Sequence, residues 1–323
     1  MRHILWLTIS GLLAIAGTGQ SAERQAMDLS PGKIVPYRYR QESTVSISVN
    51  RREQEETIVS VIDLTATVWT KDDKGRVPVE LRVSRVQDSV KAFSSKAEND
   101  TDKFDPDDPL PLFQLAPNLA WMHQPVQLLF DGGGSIVGIK DADKLQTKVE
   151  EILQKDFGGS EEYTFASPIY ASETSEVALL VKWADVLGIQ FPRDFLPGSN
   201  WKKSNELEVV GVIPSESWMG LMKVSSESTY SSSDLGDGKL HIVRESKIVS
   251  GKAKETQLGP VDCKYSVESG SGQATVHIGA DGWVGESEGA SELVFSATIG
   301  LEGKTIPLKM TVQRNTRIER VKK

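Results

Sequence analysis

A mainly β protein of the α+β class is what this sequence predicts: an antiparallel, strongly curved sheet, sandwich or partial barrel with one or two packed amphipathic helices. Three observations predict it. Apolar and polar residues alternate with period 2 through most of the chain, as in Thr44-Val45-Ser46-Ile47-Ser48-Val49. Turn signals recur about every 8 to 12 residues, the spacing of short loops between paired strands. Only two stretches space their apolar residues as a helix does.

The first strands follow Pro36. Tyr37-Arg38-Tyr39-Arg40 and Thr44 to Val49 form one, the charged stretch Asn50 to Glu56 turns the chain, and Thr57 to Trp69 returns. Lys71 to Arg76 is a second turn, and Val77 to Val90 supplies a third strand carrying Val79, Leu81, Val83 and Val86. β-Branched and Ser/Thr-rich strands of this kind suit a meander with one wet face. Trp69 and Trp183 belong to the core on this reading. Glu98 to Pro117 breaks the pattern with clustered Asp, Asn and Pro and reads as an irregular acidic loop. Val126 to Phe130, turned by Asp131-Gly132-Gly133-Gly134 into Ser135 to Ile139, reads as a hairpin.

The helices come next. Leu145, Val149, Ile152 and Leu153 recur at helical spacing, with Asp141 or Asp143 as the cap and Gly158-Gly159 as the stop, which sets a helix near 142–157. A second is expected near 172–187, with Val177, Leu180, Val181, Ala184 and Leu187 on one face and Gly188 after it. Phe191 to Gly198 is a Pro-bounded connection, so the chain divides softly near residue 200 into an N-terminal β-rich region, 30–200, and a C-terminal antiparallel region, 201–323. Gln41-Glu42-Ser43-Thr44 echoes Ser226-Glu227-Ser228-Thr229, which leaves open whether the halves are a duplication or one continuous sheet.

Residues 1–21 have the build of a secretory signal peptide. Arg2 and His3 precede an apolar run from Ile4 to Ala16, and small residues at Gly19 and Ser21 fit cleavage after Ser21. The expected product is an exported protein without a transmembrane span. Among 323 residues, 37 Lys+Arg stand against 45 Asp+Glu, a net charge of −8 that argues against nucleic acid as a partner. A single cysteine, Cys263, rules out a disulfide framework and reads as a buried, inert thiol.

Searches for chemistry leave little. No cofactor motif is present. The acidic loop supplies weak metal candidates, Asp100, Asp102 and Asp105, but lacks the Gly and Glu that a helix–loop–helix calcium site needs. Gly132-Gly133-Gly134-Ser135-Ile136 is not a nucleophile elbow, and Ser199-Asn200-Trp201-Lys202 matches a Ser-x-x-Lys pattern without its companion motifs. Trp201 and Trp283 sit beside turns and form the candidate exposed pair for stacking on sugar rings.

The layout resembles a family of uncharacterised exported bacterial proteins, a domain of unknown function. The resemblance rests on Tyr37-Arg38-Tyr39, the Phe-Asp-Gly-Gly hairpin and helix from Phe130 to Phe157, the Phe-Leu-Pro-Gly-x-x-Trp element from Phe195 to Trp201, and the Gly-rich segment from Gly279 to Val321. It brings no activity and no catalytic residues. A weaker architectural similarity to periplasmic lipoprotein carriers implies a sheet wrapped over a helical lid, with Leu145, Val149 and Leu153 covering a groove for an apolar ligand such as a lipid. The expectation is therefore a non-enzymatic binding or interaction protein of the cell envelope. Carbohydrate binding through Trp201 and Trp283, and a hydrolase whose site is assembled from distant residues, are the alternatives.

Overall fold

A computed structural model describes residues 7–11, 27–49, 52–92, 95–103, 110, 115–131, 134, 136–160, 198–212, 219–251, 254–258, 261–301 and 304–321, with single positions 163, 167, 174, 176, 179 and 183. The strands are β1 (Leu7–Gly11), β2 (Ile34–Val49), β3 (Arg52–Val68), β4 (Val77–Ala92), β5 (Ser95–Asp100), β6 (Val126–Phe130), β7 (Ile136–Lys140), β8 (Asn200–Val212), β9 (Met219–Gly236), β10 (Lys239–Gly251), β11 (Lys254–Leu258), β12 (Val261–Ile278), β13 (Val284–Leu301) and β14 (Lys304–Arg320). Among the described residues two helices have complete bounds, α1 (Ala116–His123) and α2 (Ala142–Phe157).

All these strands lie in one sheet with the order β1-β8-β9-β10-β12-β13-β14-β2-β3-β4-β6-β7, while β11 pairs with β12 and β5 with β4. Each pairing is antiparallel, and among the described residues the two ends of the path do not pair. The mainly β expectation holds in its curved-sheet form, with helices packed on one face. The regions before and after residue 200 share this sheet, because β14 pairs with β2 from Leu308↔Val49 to Arg320↔Tyr37.

Alternation dictates which face is buried. Tyr37 and Tyr39 on β2 stand opposite Leu64 and Ile62 on β3, and all four are buried, whereas Arg38 and Arg40, which alternate with the tyrosines, are exposed. The inward residues of β2, β3, β4 and β6 form one apolar cluster with Leu115, Leu119 and Trp121 of the α1 segment and Leu145, Val149, Ile152 and Leu153 of α2. Trp183 stands between Tyr39 and Trp121, with ring centroids 6.4 Å and 5.0 Å away.

The helix expected near 142–157 is α2. Asp141 occupies the N-cap position, but its side chain makes no cap hydrogen bond and instead pairs with Lys144 at 2.7 Å. The second helix, 172–187, lies largely outside the described residues. Of that stretch, Glu176, Leu179 and Trp183 have helical backbone, and Leu179 and Trp183 are buried.

Three expectations change. Part of the acidic loop is strand: β5 pairs with β4 through Glu98↔Ser89 and Asn99↔Asp88, because the long β4 offers an edge that even a polar segment can satisfy. Its end is helical from Ala116, where a proline in the first turn suits the start of α1. Trp69 is not a core residue; β3 ends at Val68, and Trp69 leaves the sheet 48% exposed.

A polar latch ties the segment before β2 to the β12–β13 turn. Lys33 Nζ reaches Asp28 at 2.7 Å and Asp281 at 2.9 Å, and Arg320 Nη2 donates to Asp281 at 2.7 Å. Trp283 Nε1 donates to the Asp28 carbonyl at 2.9 Å, and Tyr37 Oη to the Val284 carbonyl at 3.1 Å. Hydrogen bonds from Lys33 and Ser30 hold the Asp28 carboxyl down at about 2. Burial opposes ionisation of Asp281, yet Arg320 and Lys33 keep it below its ordinary value. Asp28 and Asp281 both have lowered folded values, so their contribution is complete above the unfolded carboxylate range and disappears as pH falls below it. Asp281→Asn is expected to cost about 1–3 kcal/mol by leaving two half-buried cations without their shared acceptor, measured by urea unfolding at neutral pH.

Candidate binding face

The register builds the candidate site as a set of rows running across the strands on the helix-bearing face. One row is apolar: Ile318, Tyr39, Ile62 and Val86 stand side by side on β14, β2, β3 and β4, beneath the helices. The next row is polar or small along almost its whole length. It runs Trp201, Tyr230, Arg244, Ala274, Gly289, Thr316, Gln41, Ser60, Asp88 and Asn99, from β8 to β5.

These groups are knitted together where the helices approach. Asn118 of α1 donates through Nδ2 to Ser60 Oγ at 3.1 Å and to Asp88 Oδ1 at 2.9 Å, so one amide bridges a buried hydroxyl and one oxygen of a buried carboxylate. Tyr39 Oη donates to Gln41 Oε1 at 2.8 Å, and Gln41 Nε2 to Ser43 Oγ at 3.2 Å. At the other end of the row the rings of Trp201 and Tyr230 stack with centroids 4.9 Å apart and planes 5° from parallel.

Farther along the strands the same face becomes apolar again. Val45, Val312 and Leu293 are register neighbours, as are Met310 and Phe295, with Val267 beside Phe295; all six are buried. None of the six belongs to the cluster under the helices. Gly270 makes this packing possible, because a Cβ there would stand 2.5 Å from Ile248 and 2.8 Å from Leu293. Glu56 lies within this second zone, opposite Val45. Its side chain is 3% exposed, and burial pushes the carboxyl up to about 7.

The other face is wet. It carries an open groove of about 470 Å³ across β2, β14, β13 and β12, walled by Arg40, Glu42, Glu288 and Arg317 over the backbone of Gly289. Its charges are already paired, Arg40 with Glu42 at 3.3 Å and Arg317 with Glu288 at 3.2 Å.

The residues singled out in the sequence fall in different places. Leu145, Val149 and Leu153 share the buried face of α2 and sit inside the core cluster. Trp201 and Trp283 are not an exposed pair: Trp283 is 0% exposed with its indole N–H committed to Asp28, and Trp201 is half-buried against Tyr230. The turn next to Trp283 folds its ring inward, where a flat aromatic side chain with one donor is satisfied better than in water. Asp100 and Asp102 both lie on Arg85, at 2.8 Å each, and the hydrogen bond from Arg85 holds Asp100 well below the usual carboxylate range. Carboxylates neutralised by a guanidinium are poor cation ligands, and no group of three or more His, Cys, Asp or Glu side chains suited to a metal occurs among the described residues. Asp105 lies outside the described residues, as do the side chain of Cys263 and the Gly132-Gly133 turn. Sequence reading missed Glu56 and Asn118, since a glutamate in a run of charged residues and an asparagine after a proline both look like surface.

No family model matches this sequence, and no curated protein matches it. Among solved structures, lipovitellin, from work on its lipid–protein interactions, is similar at 9% identity and a TM-score of 0.45, over 91% of this chain and 26% of that one. The chain thus spans about a quarter of the lipovitellin chain. OccK5 (OpdH) of Pseudomonas aeruginosa matches at 10% identity and a TM-score of 0.20, over 89% of this chain and 99% of that one. An outer membrane channel from Pseudomonas putida F1 matches at 6% identity and a TM-score of 0.22, over 93% and 100%. At these scores the likeness does not extend to function.

Proposed function

We propose that this protein is an exported, non-enzymatic binding protein of the cell envelope, and that its helix-bearing sheet face holds an apolar or amphiphilic ligand such as a lipid. The observation that carries this reading is the order of chemistry along that face: apolar under the helices, polar across the middle row, apolar again around Val45, Leu293, Phe295 and Val312. An amphiphile joins an apolar chain to a polar end, and a face on which apolar zones adjoin polar groups offers a surface to each part. Export rests on the build of residues 1–21, of which the fold holds Leu7–Gly11 as the edge strand β1 on β8, a strand that cleavage after Ser21 would remove; no described helix is long and apolar enough to cross a membrane. α2 serves as the lid, because its apolar side chains cover the first zone.

The test is native mass spectrometry of residues 22–323 purified gently from the host envelope, before and after organic extraction. A discrete mass of lipid size, lost on extraction, is the expected result. A bare polypeptide mass in both samples would overturn the reading.

A further inference from the structure

Among the described residues of the second apolar zone, Glu56 stands out as a group that apolar packing does not explain. Its side chain is 3% exposed, and neither carboxylate oxygen has a hydrogen-bond partner among the described residues. The contrast with Asp88 on the next strand is informative. That carboxylate is equally buried on the same face, but Asn118 donates to its Oδ1 at 2.9 Å, whereas Glu56 receives no such bond at either oxygen from the described residues. Glu56 also lies one step inside an open rim, since Gln54, two residues closer to the β2–β3 hairpin on the same face, is exposed.

We infer that Glu56 is the anchor for the polar end of an amphiphile bearing a protonated amine, whose chain lies along Val45, Val312, Leu293 and Phe295. The inference rests on the amphiphile reading above and adds the class of head group. A buried carboxylate is costly without a partner, and an ammonium group brings three donors and the opposite charge to two oxygens that lack both. A hydroxyl brings one donor and no charge. A carboxylate brings repulsion. Among the described side chains, the other titratable groups on this face nearby are Asp88 on β4, which accepts from Asn118, and Arg314 on β14, which stands two strands and one row away with its Nε unpartnered among the described residues. Arg314 is the group that would select an anionic amphiphile instead, and the same experiment distinguishes the two.

Dodecylamine, dodecanol and dodecanoate, each below its micellar concentration, are titrated calorimetrically into delipidated residues 22–323 and into the Glu56→Gln variant. With the wild type near pH 8, the amine is expected to bind about tenfold or more tightly than the alcohol, and in Glu56→Gln this preference should fall to about twofold or less. Near pH 5.5 the wild-type preference should shrink as well, because the carboxyl is then protonated while the amine keeps its charge. Equal binding of amine and alcohol by the wild type, tighter binding of dodecanoate, or an unchanged preference in Glu56→Gln would overturn the assignment and leave the amphiphile reading standing. Failure of all three compounds to bind would overturn both.

Discussion

Glu56→Gln is expected to stabilise the delipidated protein by about 3 kcal/mol near pH 8 and to leave its stability unchanged near pH 4. The direction comes from the raised carboxyl. In the unfolded chain Glu56 ionises around its ordinary value of 4.5, whereas in the fold burial delays ionisation to about 7. Between those values the folded protein holds a proton that the unfolded chain has released, so wild-type stability declines as pH rises through the window and is flat above it. A raised acid is the reverse of the usual carboxylate case, represented here by Asp28, whose contribution is lost on acidification. Gln has the shape of the protonated acid and no charge to desolvate, so it removes the penalty without opening a cavity. Urea unfolding at the two pH values measures the difference. A variant less stable than wild type near pH 8, or one shifted equally at both pH values, would show that the Glu56 carboxylate is satisfied in the fold.

Glu56 also marks the limit of what local sequence specifies. Period-2 alternation was enough to place the long strands and to make the protein mainly β, because one sheet face is dry and the other wet along most of its length. The bounds of α2 were equally legible, since Leu145, Val149, Ile152 and Leu153 form a stripe and Gly158 stops it; a Cβ at that glycine would meet the Gln154 carbonyl at 2.3 Å. α1 was not legible. Its eight residues carry apolar groups on every side, so they show neither the stripe of an amphipathic helix nor the alternation of a strand. The candidate face was less legible still. Its rows are made of residues from as far apart as Trp201, Arg244, Gln41 and Asp88, and only the pairing of β14 with β2 aligns them. A one-residue slip in any pair would move Glu56 or Gln41 to the wet face, and local sequence does not specify register at that distance.

The tryptophans test the same point with a larger effect. Trp183→Ala is expected to cost about 3–5 kcal/mol, whereas Trp69→Ala should stay within about 0.5 kcal/mol of wild type. Both residues sit among apolar neighbours in sequence, and both looked like core. The fold separates them by the surroundings it gives each ring. Trp183 is 1% exposed and fills the gap between Tyr39 on the sheet and Trp121 on α1, so its removal opens a cavity that rigid strands on one side and a helix on the other cannot close. Trp69 stands just past the end of β3, held by its backbone N–H to the Pro78 carbonyl at 2.8 Å, a bond that alanine keeps. Urea midpoints of the two variants, with the slope of the transition checked for constancy, decide the matter. A Trp183→Ala variant of near wild-type stability would mean that the helices are loosely docked on the sheet, as a lid that opens readily would be. A large loss together with retained amphiphile binding would instead place the ligand wholly in the zone around Glu56, beyond the reach of α1 and α2.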